Sequence, residues 1–244
     1  MIMYLKAELF RLKKDSVLLI APAIILIGYA VTTVLAGVGS HCTRVTLLSS
    51  SWPEQYCFIF KLAVFLLCHI WSQEFRNYTL KNVYTSGHGA GRFFLAKLAT
   101  QFLVCILLMV WAILCFGFCC MTLKNGEGDV TVLLLERLKG AGVLLAYSFA
   151  ELSVLDMMCL ILKKEAIMFG VYFVVIDKIG EAVGAVTEAS LPEKLSVGYG
   201  YRIATTLYLD SGARLQAFSV MILYVALTAI VTILLMKKGI KNEK

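Results

Sequence analysis

The twenty-three residues from Ser16 to Val38 carry no charged side chain. As a helix rising 1.5 Å per residue, such a run is about 35 Å long, enough to cross the ~30 Å hydrocarbon core of a bilayer. A second uncharged run, Leu98 to Thr122, repeats the pattern. A soluble core of 244 residues has no use for several such runs, and 60% of this chain is hydrophobic, where soluble domains sit nearer half. In lipid every backbone polar group must be satisfied internally, and a helix does this within one segment. The expected class is therefore all-α, a polytopic membrane protein.

Four further runs complete the expectation of six spans. They are Tyr56 to Ser72 with Lys61 inside it, Gly140 to Leu162 with Glu151 and Asp156, Ala166 to Glu188 with Asp177, Lys178 and Glu181, and Gln216 to Met236. The transmembrane domain then covers residues 16–236, with an inner loop at 73–97 and an outer connection at 189–215. Ahead of it, residues 1–15 are helix-compatible. Ile2, Leu5, Leu9 and Leu12 fall on one side, Tyr4, Glu8, Arg11, Lys14 and Asp15 opposite, and Lys6 and Lys13 flank the apolar stripe. That pattern fits an amphipathic helix lying in the headgroup layer; an ordinary basic tail is the alternative. The first apolar run exceeds the ~7–15 residues of a signal-peptide core, so we expect it to be retained.

Charge sets the expected orientation. With six spans and the N-terminus inside, the inner segments (1–15, 73–97, 163–165 and the basic tail 237–244) hold fourteen Lys and Arg, and the outer loops hold seven. Cytoplasmic loops carry the basic excess, so both termini are expected in the cytoplasm and the protein in the cell membrane. The net charge of +7 belongs to this asymmetry rather than to nucleic-acid binding, for which there is no soluble basic domain. The eight cysteines form no CxxC pair and lie mostly inside apolar runs, where a thiol acts as a small hydrophobe. Cys42 and Cys57 flank one outer loop, where either free thiols or a disulfide fit the compartment.

A charge at mid-bilayer costs at least ~2.5–3.5 kcal/mol, so each intramembrane charge calls for a partner or water. Lys61 is expected near the outer end of its span, level with Glu181, while Glu151 and Lys178 are central. These depths permit Lys61–Glu181 and Lys178–Glu151 pairs. Structural ion pairs, a polar substrate lining that includes Asp156 and Asp177, and a proton relay all remain open. No HExxH, no GxSxG and no metal-ligand spacing occurs, and an intramembrane site built on Asp156 and Asp177 has no motif behind it. We expect no catalytic residue and no metal site. The phosphate-cradling GxxxxGK[ST] loop is also absent, so any ATP and magnesium must sit on another chain.

The longest polar stretch between apolar runs is Glu74 to Lys97. As a helix, residues 73–84 place Phe75, Tyr78 and Val83 toward one side and Glu74, Asn77 and Lys81 toward another. Such a helix suits docking on a partner's groove or simply joins two spans. Glycines 87, 89 and 91 follow as a turn. The run Glu74-Phe75-Arg76-Asn77-Tyr78-Thr79-Leu80-Lys81-Asn82 resembles the cytoplasmic loop after the second span of ABC-2 type transporter permeases. Ser86, Arg92, Phe93, Phe94 and Lys97 look like that loop's continuation into the third span. The glycine turn departs from the family's more usual polar or proline-containing turn. The resemblance implies a permease subunit that pairs with a second permease chain and binds a separate nucleotide-binding ATPase, which would hold ATP and magnesium. Glu74, Phe75, Arg76, Asn77, Tyr78, Thr79 and Lys81 would form the coupling helix, and the outer connection would cover the gate. The compact six-span layout resembles the bacitracin, lantibiotic-immunity and small-peptide exporters, which implies export of an amphipathic peptide or antibiotic. A non-transporting membrane sensor or immunity protein is the main alternative, and an intramembrane enzyme the lesser one.

Overall fold

A computed structural model describes residues 2–39, 42–49, 52–69, 90–162, 203–206 and 210–242. Among the described residues the secondary structure is entirely helical. In chain order it comprises α1 (Ile2–Lys13), α2 (Val17–Gly39), α3 (Arg44–Ser49), α4 (Trp52–Phe65) continued by a 3-10 turn (Leu66–Cys68), α5 (Ala90–Thr122), α6 (Val130–Leu162) and α7 (Ser211–Asn242). A helical turn also covers residues 203–205.

Four of these helices, α2, α5, α6 and α7, are long and apolar enough to cross a membrane. α2 matches the uncharged run to within one residue. Its start is set by Asp15, whose Oδ1 accepts the Val17 N–H at 3.1 Å, satisfying one of the orphan donors of a first turn. The other three outrun their apolar segments. α5 begins at Ala90, α6 at Val130 and α7 at Ser211, and α7 continues through much of the basic tail. At 33 residues α5 and α6 are each about 50 Å long, so they extend beyond a ~30 Å hydrocarbon core. The glycine turn expected at 87–91 is corrected at its end, because Gly91 lies inside α5. There Gly91 faces Ile233 of α7, whose Cγ2 would stand 3.8 Å from an added Cβ.

The second expected span is also corrected. It begins at Trp52 rather than Tyr56, with Pro53 in the first turn, where its missing N–H costs nothing. With 14 residues, α4 spans about 21 Å and is not among the four long apolar helices. The fifth span (166–188), most of the outer connection 189–215 and the coupling segment 73–84 lie outside the described residues.

α6 is the central helix. Two thirds of its most apolar window is buried (67%), against 22–39% for α2, α5 and α7. Glycines and small side chains along it (Gly140, Ala146, Ser148, Ala150, Ser153) let neighbours approach closely. α7 packs most extensively against it. The other three long helices turn apolar side chains outward, among them Leu19 and Ile27 on α2, Leu107 and Phe118 on α5, and Ile222 and Leu234 on α7. That outward face is what a helix bundle presents to lipid.

The two ends of the bundle differ. At one end α3 is seated under two arginines. Arg44 donates from Nε to the Leu123 carbonyl at 2.8 Å, from Nη2 to the Met121 carbonyl at 3.0 Å and from Nη1 to Asn125 Oδ1 at 2.7 Å. This closes carbonyls left open where α5 stops. Arg137 of α6 donates to the Leu48 carbonyl at 2.9 Å and to the Thr205 carbonyl. Asn125-Gly126 and Gly128-Asp129 form the turn between α5 and α6 here. Gly126 and Gly128 have φ of 73° and 126°, and Asp129 Oδ1 caps α6 by accepting the Thr131 N–H at 2.9 Å. Glu136 joins α6 to the start of α7 through Arg214 at 2.6 Å. At the other end α1 packs on the start of α5, beside the last turns of α7. Among the described residues, the exposed cations of that end are Lys6, Lys13, Lys14, Arg92 and Lys237. The α3 end exposes Lys124 and Lys139 together with Glu54, Glu127, Asp129 and Asp210.

Candidate functional site

α4 enters the bundle from the α3 end and carries Lys61 inward. Because the helix starts at Trp52, Lys61 stands nine residues along it, about 14 Å deep. That places it against Glu151 of α6, which runs from the same end of the bundle and carries Glu151 14 residues beyond Arg137. Lys61 Nζ lies 3.1 Å from Glu151 Oε1, and both side chains are about 5% exposed. Tyr147, one turn back on α6 and fully buried, donates its hydroxyl to the same Glu151 oxygen. Its ring centroid lies 5.5 Å from the Lys61 ammonium. One tyrosine thus serves both charges, with its hydroxyl to the anion and its negative ring face to the cation. The three side chains form a charge-neutral cluster among apolar helices.

Lys61 is therefore deeper than its span's apparent start implied. It is level with Glu151, not merely with the outer turn where Glu181 was expected. Glu181, Lys178 and Asp177 lie outside the described residues, as do the two pairs expected of them. Asp156, the other acidic residue of α6, is fully buried. Its Oδ1 accepts the Gln101 side-chain amide of α5 at 3.1 Å. A third polar contact joins α6 to α7, where the Thr228 hydroxyl lies 2.9 Å from that of Ser153. So α6 reaches α4 through Glu151, α5 through Asp156 and α7 through Ser153. Among the described residues, Asp156 meets Gln101 of α5 and Glu151 meets Lys61 of α4.

A second charged contact was not foreseen from sequence. Lys97, fully buried at the start of α5, lies 3.7 Å from Glu8 Oε2 of α1 and 5.3 Å from the Phe93 ring centroid. Arg11 stands 3.3 Å from the same Glu8 oxygen. Glu8 and Leu12 share one face of α1 and are both buried. This corrects the expected division of the helix, which set Glu8 opposite Leu12. Phe10 is exposed instead (64%).

Of the coupling residues, Glu74, Phe75, Arg76, Asn77, Tyr78, Thr79 and Lys81 lie outside the described residues. The described part of that segment, residues 90–97, forms the first turns of α5. Cys42 and Cys57 are free thiols. Among the described residues no three His, Cys, Asp or Glu side chains gather as a metal site would require. Tyr147 and Gln101 were also missed from sequence. Tyr147 had a signal, its i−4 spacing to Glu151. Gln101 is the lone side-chain amide in an otherwise apolar run.

No protein-family model matches this chain, and no curated protein matches its sequence.

Proposed function

We propose that this chain is the membrane-spanning permease subunit of an ATP-binding cassette exporter. It would move an amphipathic peptide, antibiotic or similar substrate by alternating access, paired with a second permease chain in the cell membrane. A separate ATPase subunit would hold ATP and magnesium. The observation that carries the reading is the Glu74–Lys97 segment, which resembles the ABC-2 coupling loop and whose last residue is the buried Lys97 of α5. A push on this segment would reach α5 directly and α1 through Glu8. The buried polar contacts of α6 support the same reading, because each ties the central helix to a different neighbour at a site that helix movement would remake.

The charge distribution supports a cytoplasmic α1 end. Five exposed Lys and Arg lie there and two at the α3 end, in the sense of the basic excess on cytoplasmic surfaces. The coupling loop, adjoining the start of α5, would then face the compartment where an ATPase resides.

The test is copurification of the chain with a nucleotide-binding subunit. Glu74→Ala or Lys81→Ala is expected to lower that subunit's substrate-stimulated ATP hydrolysis toward its unstimulated rate. An ATPase that binds and hydrolyses at its full rate after deletion of residues 74–84 would overturn the proposal.

A further inference from the structure

α1 sorts its charges by face. Its sole acid, Glu8, is turned inward with Leu12 and sits against the start of α5, held by Lys97 and Arg11. Lys6, Phe10 and Lys13 follow at i, i+4 and i+7, the repeat of a single helix stripe, and all three are exposed. Lys14, just past the helix end, is exposed too and places its ammonium 4.8 Å from the Phe10 ring centroid. At 100° per residue this stripe is centred nearly opposite the Glu8–Leu12 face. The outward face is thus three cations around one aromatic ring, with no acid.

Its position fixes what it meets. Asp15 caps α2 directly after it, and the first turns of α2 already present Leu19 at 78% exposure and Ile20 at 46%. The stripe therefore lies where the apolar belt of the bundle gives way to headgroups. Lysine stems reach along apolar surface while their ammonium groups stay polar, and an aromatic ring is at home at that depth. Phosphate groups of anionic lipids complete the charge.

We propose that the Lys6–Phe10–Lys13–Lys14 face of α1 is a docking surface for anionic phospholipid headgroups, so that α1 holds to the membrane selectively by lipid charge. This holds whether or not the chain is a permease. The opposite face supplies a fixed attachment to α5, and the lipid supplies a second, composition-dependent one.

The experiment is hydrogen exchange on the full chain in nanodiscs of phosphatidylcholine alone or with about one third phosphatidylglycerol. A lysine at an anionic surface contributes ~1 kcal/mol, or about fivefold. Phosphatidylglycerol is therefore expected to slow exchange of the α1 amides by at least about fivefold and to leave the middle of α5 unchanged. The Lys6→Gln/Lys13→Gln/Lys14→Gln variant is expected to lose this lipid effect while matching the parent in phosphatidylcholine, and the corresponding triple Arg variant to keep it. Equal α1 exchange in the two lipids would overturn the proposal, as would a lipid effect that survives in the triple Gln variant. Such results would leave the face to a protein partner or to water. A misfolded variant would show itself as faster exchange in α5, and the parent's response to lipid charge decides the matter independently of any variant.

Discussion

Lys61 of α4 and Glu151 of α6 stand 3.1 Å apart with side chains about 5% exposed, and Tyr147 contacts both. The pair is the polar centre of an apolar bundle, and its worth is asymmetric. Forming it returns roughly what desolvation of two charges costs, whereas removing one partner strands the other.

Lys61→Met or Glu151→Leu alone is therefore expected to destabilise the protein by about 3–5 kcal/mol. The double variant should recover part of that loss, falling short of the parent by about 1–3 kcal/mol, because apolar residues replace the ion pair but the buried Tyr147 hydroxyl loses its Glu151 acceptor. Thermal unfolding of the four proteins of this cycle in detergent measures the coupling. If the double variant falls by the sum of the singles, the two charges do not act as a pair.

Two glycines on α6 separate helix propensity from packing. Among the described residues nothing lies within 4 Å of a Cβ added at Gly142, whereas at Gly140 that Cβ would stand 2.5 Å from the Ala204 carbonyl oxygen. Backbone cannot yield as a flexible side chain does. Gly142→Ala is expected to stabilise by up to about 1 kcal/mol. Gly140→Ala should lose about 1–3 kcal/mol through overpacking against the 203–205 turn despite the same propensity gain. Melting of the two variants side by side checks the opposite signs.

What the sequence made legible follows from which forces are local. The uncharged run Ser16–Val38 became α2 almost residue for residue, because hydropathy and helix share its ends and Asp15 stands ready as a cap. α5, α6 and α7 outran their apolar segments because hydropathy reports the lipid-embedded stretch while backbone hydrogen bonding carries the helix on. Glu136, Arg137 and Lys139 lie on such an extension of α6. The depth of Lys61 was misjudged through the start of its helix, which the Trp52-Pro53-Glu54 signature would have moved back four residues. The Glu8–Lys97 contact joins residues 89 positions apart, and no periodicity reports so long a separation. The cysteines read as small hydrophobes, and Cys68, Cys105, Cys115, Cys119, Cys120 and Cys159 are indeed buried thiols.

Arg44 anchors α3 to the end of α5 through three acceptors arranged around one guanidinium. A lysine keeps the charge but offers a single point donor in place of a planar fork. Arg44→Lys is expected to lose about 1–2 kcal/mol, on the scale of one or two partly solvated hydrogen bonds to a charged group. The loss should appear locally, as faster maleimide labelling of Cys120, which is buried near that end of α5. Labelling at the parent rate in Arg44→Lys would show that the fork geometry contributes nothing there.

Glu8 Oε2 faces two cations of unequal worth. Lys97 is fully buried at 3.7 Å, while Arg11, although nearer at 3.3 Å, is 32% exposed and lies on the same helix. An i,i+3 pair with a partly exposed partner contributes about 0.2–0.5 kcal/mol, whereas taking a counter-charge from a buried cation is costly. Glu8→Gln is therefore expected to release α1 from α5 by about 2 kcal/mol, accelerating exchange of the α1 amides by roughly thirtyfold. Arg11→Gln should change that exchange by about twofold at most. Hydrogen exchange of both variants in phosphatidylcholine nanodiscs, where lipid charge contributes nothing, isolates the protein contact. Equal effects of the two substitutions would show that the buried Lys97 contact adds nothing beyond what the Arg11 pair within α1 supplies.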